Sequence, residues 1–414
     1  MFQSGVEERL RDEYEEDGYL RPAYDSFCFA NVPHTVASML GTETGRTLPD
    51  EAFAGLETDV ETVLVVLIDG LGLNRWRSER DVPLLERLTE RGTVTPLTSV
   101  YPSETAAAMT SYHTGTLPAE HGVIGWNVYE PTVGESFEAL PFVTKDGRQP
   151  GLEPESVADA DPWVAQLDSA VDVHYVTGFP QHQQYATIHE YEPIEALGPT
   201  LEGALTATED GSPSYVFAYV PHLDAAAHEH GTASGPYRET LEEVSAQLER
   251  AFDGVDAETA AETLLVVTAD HGHLDTDPER NVDLTEIEVL EESLARDPAG
   301  EPIRYAGSPR NVHLHLQEGT VENVRETLTS RLEARVYRRE RLLEMDLFGD
   351  RSPSATLERR IGDLVVVPRD LGVWYGGEHE PEELDLVGMH GGLSPAEMLV
   401  PFAVARLHDV GQYK

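Results

Sequence analysis

The chain has 414 residues, enough to bury a large core in one big domain or two. Its 29 basic and 76 acidic residues leave a formal charge of −47. That charge disfavours nucleic acid as a partner, and it fits a halophile's surface, whose self-repulsion is largely screened in molar salt. A single cysteine, Cys28, excludes an intrachain disulfide and a thiolate metal cluster.

Lys145 and Lys414 are the only lysines, so nearly all the positive charge is arginine. The acid is spread along the chain, as on a solvated surface, rather than gathered in a tail. The start, Met1 to Arg9, is polar and acidic. It lacks the basic n-region and apolar stretch of a secretory signal. No uncharged apolar run reaches the ~18 residues of a membrane span. The expectation is a cytoplasmic protein without a membrane partner. Oligomeric state is open at this level.

Residues 1–57 read as an N-terminal packing arm with a charged helix and a short apolar helix near Thr35 to Leu40. Thr62 to Ile68 is a continuous aliphatic run rich in valine, the mark of a strand buried on both faces of a parallel sheet. It ends in Asp69-Gly70, a carboxylate at the carboxyl end of a core strand, where open α/β sheets bind ligands. Pro83 to Arg91 predicts the returning helix. A further strand leads to Tyr101-Pro102-Ser103-Glu104-Thr105, after which an alanine-rich helix begins. Ser103 is predicted as its cap. Thr105 falls in the first turn, where the helix dipole favours negative charge on its oxygen.

Between 128 and 200 the pattern is weaker. Val171 to Val176 alternates like a strand, and Pro150 to Asp161 reads as a loop. His174, His182 and His189 have no metal-like spacing and are read as structural or surface residues. Ser214 to Val220 is a second buried strand. Asp224 and His228 follow it at i,i+4, so one helical turn presents both on one face, as two ligands of one ion require. Ser234 to Phe252 predicts a long helix with Leu241, Val244, Leu248 and Phe252 at core spacing. Thr263 to Ala269 is a third buried strand, running into Asp270-His271-Gly272-His273.

From about residue 300 the texture changes. Asn311 to Leu316 alternates as a half-exposed strand should, with His313 and His315 on one face. A helix over 320–333 and strands at Ala334 to Tyr337 and Gly362 to Val367 follow. Near the end, His390 is flanked by Gly388, Gly391 and Gly392, which permit close backbone approach. Met398 to Val404 predicts a last strand, placed at an edge because of Pro401. The expected fold is α/β, a central mostly parallel sheet with helices on both faces. Its core is residues 58–304 and 369–414, and 305–368 is a small α+β insertion.

Three carboxylates and three imidazoles recur at strand ends or glycine-flanked turns: Asp69, Asp224, His228, Asp270, His271 and His390. With the Thr105 hydroxyl, this oxygen and nitrogen set suits zinc or manganese. It is the right number for two divalent ions about 3.5–4 Å apart, which clamp an in-line displacement at phosphorus.

In order and spacing the chain resembles the alkaline phosphatase superfamily, in its type I phosphodiesterase/nucleotide pyrophosphatase branch. The matching pieces are Asp69-Gly70, Tyr101 to Thr105, Thr114-Gly115 through His121-Gly122, Asp224 with His228, Asp270-His271-Gly272, and His390-Gly391-Gly392. The resemblance implies that Thr105 is the nucleophile of a covalent phospho-enzyme. It implies one ion on Asp69, Asp270 and His271 beside Thr105, and another on Asp224, His228 and His390. Asn127 is the family-implied holder of phosphate oxygens, one residue displaced from the usual spacing. Nucleotide-cleaving members often carry an aromatic after the nucleophile, and this chain has Ala106. The implied activity is hydrolysis of a small phosphodiester or pyrophosphate. The alternatives are a phosphomonoesterase of the same superfamily and a non-catalytic metal-binding module. A sulfatase of the cysteine type is disfavoured, because Cys28 stands outside the Cys-x-Pro-x-Arg setting that reaction needs.

Overall fold

The aliphatic run at Thr62–Ile68 (β1) can be buried only if both its faces are covered, and all seven residues are. The computed structural model describes residues 1–179, 185–208, 212–376 and 383–411. The other strands of its main sheet are Thr93–Thr98 (β2), Asp172–Thr177 (β3), Thr187–Glu190 (β4), Ser214–Val220 (β5), Thr263–Thr268 (β6) and Leu399–Arg406 (β7). The spatial order is β2-β7-β6-β1-β5-β3-β4. From β6 to β4 all neighbours are parallel, and β7 runs antiparallel to both β6 and β2. This is the α/β sheet the sequence predicts, and its strands form one apolar core with Leu241, Val244, Leu248 and Phe252 of the helix Gly235–Gly254. That helix starts where expected, with Ser234 accepting from the amide of Tyr237.

The N-terminal residues pack on this sheet. Phe2 bridges Val94, Cys28 bridges Thr98, and Val6, Leu10, Leu20 and Phe29 are buried in the main core. No described helix is long and apolar enough to cross a membrane.

A second sheet is entirely antiparallel. Its order is Ala334–Arg338, Leu364–Pro368, Asn311–Leu314, Gly307–Ser308, Asn127–Glu130, Glu135–Glu138 and Val143–Thr144. The strands predicted around 305–368 are therefore continued by a hairpin from 127–144, which local pattern did not connect to them.

Three local expectations are corrected. First, His313 and His315 do not face solvent. Both are buried, and burial pushes their imidazoles down to about 3 and about 4. Second, β7 is interior rather than an edge. Pro401 lies opposite Pro96 and one residue beyond the last β7–β6 pair, Phe402 with Thr268, so no ladder bond to β6 needs its missing N–H there. Its carbonyl accepts from the Thr268 hydroxyl instead. Third, Ser103 is not the helix cap. Its hydroxyl donates to the Gly392 carbonyl at 2.7 Å, and Glu104 occupies the cap position. Of the predicted structural histidines, His174 contacts Asp172 at 2.8 Å and His189 at 2.9 Å. His182 lies outside the described residues.

Candidate metal centre

Parallel register brings the chemistry together. Thr268 of β6 lies beside Leu67 of β1, and Val220 of β5 beside Ile68. Asp69, Asp270 and the start of the helix His222–His230 (here αM) therefore leave the sheet at the same level. Ser99, just after β2, donates its hydroxyl to the Asp270 carbonyl, tying the Thr105 segment to the end of β6. The helix Thr105–Thr114 begins at Thr105 itself.

Asp69, Asp270 and His271 form one buried cluster, with their ligand atoms within 4.8 Å of one another. Each carboxylate has one oxygen anchored and one bare. Asp69 Oδ2 accepts from the Tyr219 hydroxyl. Asp270 Oδ1 accepts from the amides of Gly70 and His271 at 3.3 and 3.0 Å. Asp69 Oδ1 and Asp270 Oδ2 have no hydrogen-bond partner, and both lie 3.4 Å from Nε2 of His271. The Thr105 hydroxyl is 2.9 Å from the same nitrogen.

Asp224, His228, His273 and His390 form a second cluster. Asp224 Oδ1 is 3.4 Å from His228 Nε2, 3.0 Å from His273 Nε2 and 3.6 Å from His390 Nε2. Nε2 of His228 and His390 are 3.2 Å apart. All six carboxylates and imidazoles singled out in the sequence thus fall in these two groups, which adjoin through the stacked rings of His271 and His390, 3.7 Å between centroids. The loop carrying His390 is held by the buried pair Arg310–Glu397, because Glu397 also accepts from the amides of Gly392 and Ser394.

Two residues escaped the sequence reading, His273 and Tyr219. An imidazole two positions beyond His271, with only a glycine between, was a legible signal for the first. Tyr219 carried none, since it reads as one more aromatic of a buried strand.

The electrostatics call for positive charge. Burial, and then the charges of Asp270 and Asp224, push the Asp69 carboxyl well above its usual range. For Asp224 burial acts in the same sense, but the imidazoles of His228, His273 and His390 outweigh it and hold its carboxyl well below. Burial lowers the basicity of His271 and His390. Three carboxylates this close cannot all ionise in a dry pocket without a compensating cation. The bare oxygens and the ring nitrogens facing them fit divalent metal ions, which take this mixed oxygen and nitrogen set.

Asn127 is buried at the start of a second-sheet strand. Its Nδ2 donates to the Gly307 carbonyl at 3.2 Å, and its Oδ1 has no partner. The preceding Trp126 donates its amide to Glu104 Oε2 at 2.8 Å, which ties this strand to the residue before Thr105.

A model of the type I phosphodiesterase/nucleotide pyrophosphatase family matches residues 63–393, a span that contains both clusters and Thr105. The chain belongs to this family. Family relatives include ectonucleotide pyrophosphatase/phosphodiesterase 1 of Saccharomyces cerevisiae, 25% identical over 284 residues. That match covers 59% of this chain but only 38% of the yeast protein. An uncharacterized pyrophosphatase/phosphodiesterase of Schizosaccharomyces pombe is 24% identical over 358 residues, covering 81% of this chain and 69% of its own length.

Among solved structures, an inactive form of murine ectonucleotide pyrophosphatase/phosphodiesterase 5 in complex with AMP aligns with a TM-score of 0.64 at 18% identity. It covers 83% of this chain and 87% of its own. Phosphonoacetate hydrolase from Sinorhizobium meliloti, in complex with phosphonoformate, aligns at 0.57 and 20% identity, covering 85% and 94%. These two likenesses carry the fold alone: a mostly parallel central sheet with helices, as in those two enzymes.

Proposed function

We propose that the chain is a metal-dependent hydrolase of small phosphodiesters or pyrophosphates, acting through a covalent phosphothreonine at Thr105. The observation that carries the reading is the Thr105 hydroxyl, at the first residue of its helix and 2.9 Å from Nε2 of His271, beside the bare oxygens of Asp69 and Asp270. Asp69, Asp270, His271 and Thr105 would hold one divalent ion, and Asp224, His228 and His390 the other, with zinc favoured and manganese the alternative. Such a pair supplies positive charge for the attacking and departing oxygens of an in-line displacement.

The chain's own groups do the rest. The Nδ1–H of His271 donates to the Gly272 carbonyl at 3.1 Å, so the Nε2 lone pair faces the Thr105 hydroxyl at 2.9 Å and would go to the ion when one is bound. In the first step Oγ1 gives its proton to solvent and bonds to phosphorus, while the leaving oxygen departs with the electron pair of its P–O bond and takes a proton from solvent. The helix dipole at Thr105 favours the charge that builds on Oγ1. In the second step water bonds to the same phosphorus and the P–Oγ1 bond breaks, restoring the hydroxyl. Asn127 is assigned to the phosphate oxygens. Nδ2 has two hydrogens, and the Gly307 carbonyl takes one of them.

Ala106, where an aromatic would stack a base, is fully buried against Val123, Val128 and Phe137. It offers a substrate no surface, which favours small esters that need no base stacked at that position. The diester reading is tested by comparing bis-p-nitrophenyl phosphate with p-nitrophenyl phosphate, with added zinc or manganese. The expected result is faster turnover of the diester. A large preference for the monoester makes the chain a phosphomonoesterase instead.

The assay belongs in molar salt. With a net charge of −47, lowering the Debye length from about 10 Å at 0.1 M to about 3 Å at 1 M removes most long-range repulsion. The melting temperature should therefore climb between 0.1 and 2 M KCl. A flat or falling curve would count against an acidic surface adapted to salt.

A further inference from the structure

The two clusters differ in how completely the chain surrounds them, and the difference lies in His273. Its ring is fully buried, and Nδ1 lies 3.2 Å from the Gly70 carbonyl. Nδ1 therefore carries a hydrogen, and Nε2 faces Asp224 Oδ1 at 3.0 Å. Neither Nε2 nor that oxygen has a hydrogen-bond partner. A cation between them, a proton or a metal ion in its place, is what holds two such atoms this close. His228 and His271 are arranged in the same way, each with Nδ1 on a backbone carbonyl, of Gly388 at 2.7 Å and Gly272 at 3.1 Å, and Nε2 turned inward. Backbone anchoring of one ring nitrogen to aim the other is how metal-ligating imidazoles are held.

Spacing agrees. A tetrahedron with ligands about 2.0–2.1 Å from its centre has edges of about 3.3–3.4 Å. The edges seen among Asp224, His228, His273 and His390 are 3.0, 3.2, 3.4 and 3.6 Å. Gly70 is fitted to the same ring: at φ +73° it leaves room that a Cβ would take, only 2.3 Å from Cε1 of His273.

We infer that His273 is a fourth protein ligand of the Asp224 centre, so that this centre is closed by one carboxylate and three imidazoles. The Asp69 centre has three such ligands and only the Thr105 hydroxyl beside them, and it is the open one. Four protein ligands hold zinc more firmly than three, and a reacting oxygen would reach the Asp224 ion only as a fifth ligand, whereas the three-ligand site leaves a position free for chemistry. The two ions would then differ in retention, the closed centre keeping its ion when the open one has lost its own. The inference rests on the two-ion reading proposed above.

Crystals of zinc-loaded wild-type protein, read by zinc anomalous scattering, test it without any variant. The expected result is Nε2 of His273 at about 2.0–2.1 Å from the ion that Asp224, His228 and His390 share. An ion on those three alone, with the His273 nitrogen beyond about 3 Å and hydrogen-bonded to Asp224, overturns the inference and leaves the two-ion reading standing. Absence of zinc from both clusters sinks both. In solution, wild-type protein dialysed against a mild chelator should keep one zinc per chain, and His273→Gln should keep none. Equal retention by the two proteins overturns the inference.

Discussion

Thr105→Ala should reduce turnover of a phosphodiester by at least about 10³-fold, equivalent to about 4 kcal/mol of lost transition-state stabilisation. The fold should survive. Thr105 opens a helix whose next residues are Ala106, Ala107 and Ala108, all buried without a side chain that depends on it. The loss in stability is that of one hydrogen bond, to His271, about 1 kcal/mol. Thr105→Ser keeps the oxygen and should keep part of the activity. Acid-quenched wild-type enzyme should carry on Thr105 the phosphoryl group of the diester with its remaining alcohol still attached, and the alanine variant none. The comparison also separates the enzyme from a non-catalytic metal-binding module, for which wild-type and variant would be equally inert and equally loaded with metal. Undiminished turnover in Thr105→Ala would leave the attacking group to be found elsewhere.

What could be read from the sequence, and what could not, follows from how local each signal is. A strand buried on both faces needs an unbroken apolar run. Thr62–Ile68, Ser214–Val220 and Thr263–Thr268 therefore announced themselves, and with them the ends that carry Asp69, Asp224 and Asp270. Pairing between distant segments leaves no such mark. Nothing local ties Asn127 to Gly307, yet their bridge joins the 127–144 hairpin to the later strands. Period-two polarity at His313 and His315 implied solvent, but antiparallel neighbours and the cover over the sheet bury both. Pro401 pointed to an edge, because the sequence does not show that β6 has ended just where the missing N–H would have been needed. His273 was visible but uncounted. Its use depends on Gly70, two hundred residues away, whose carbonyl and missing Cβ accommodate the ring.

Thorough chelation should abolish turnover and also lower the melting temperature. The ions would tie together the strand ends that carry Asp69, Asp224 and Asp270. Each ion that binds the folded chain and not the unfolded one stabilises by about 4.1 kcal/mol when free metal is a thousandfold above its dissociation constant. At about 2.1 cal/mol/K per residue, the unfolding entropy of 414 residues is about 0.87 kcal/mol/K, so each ion is worth about 5 °C. The pH dependence has a definite sign. In the stripped protein, burial beside Asp270 and Asp224 raises the Asp69 carboxyl above its unfolded range. The stability that its proton contributes is present in acid and fades as pH rises through the raised value. Metal binding must displace that proton, so affinity should increase with pH over the same interval. The melting-temperature gap between loaded and stripped protein should accordingly widen from mildly acidic to neutral pH. A gap that stayed constant or narrowed, measured by calorimetry at fixed salt, would mean that the ions do not replace a proton at Asp69.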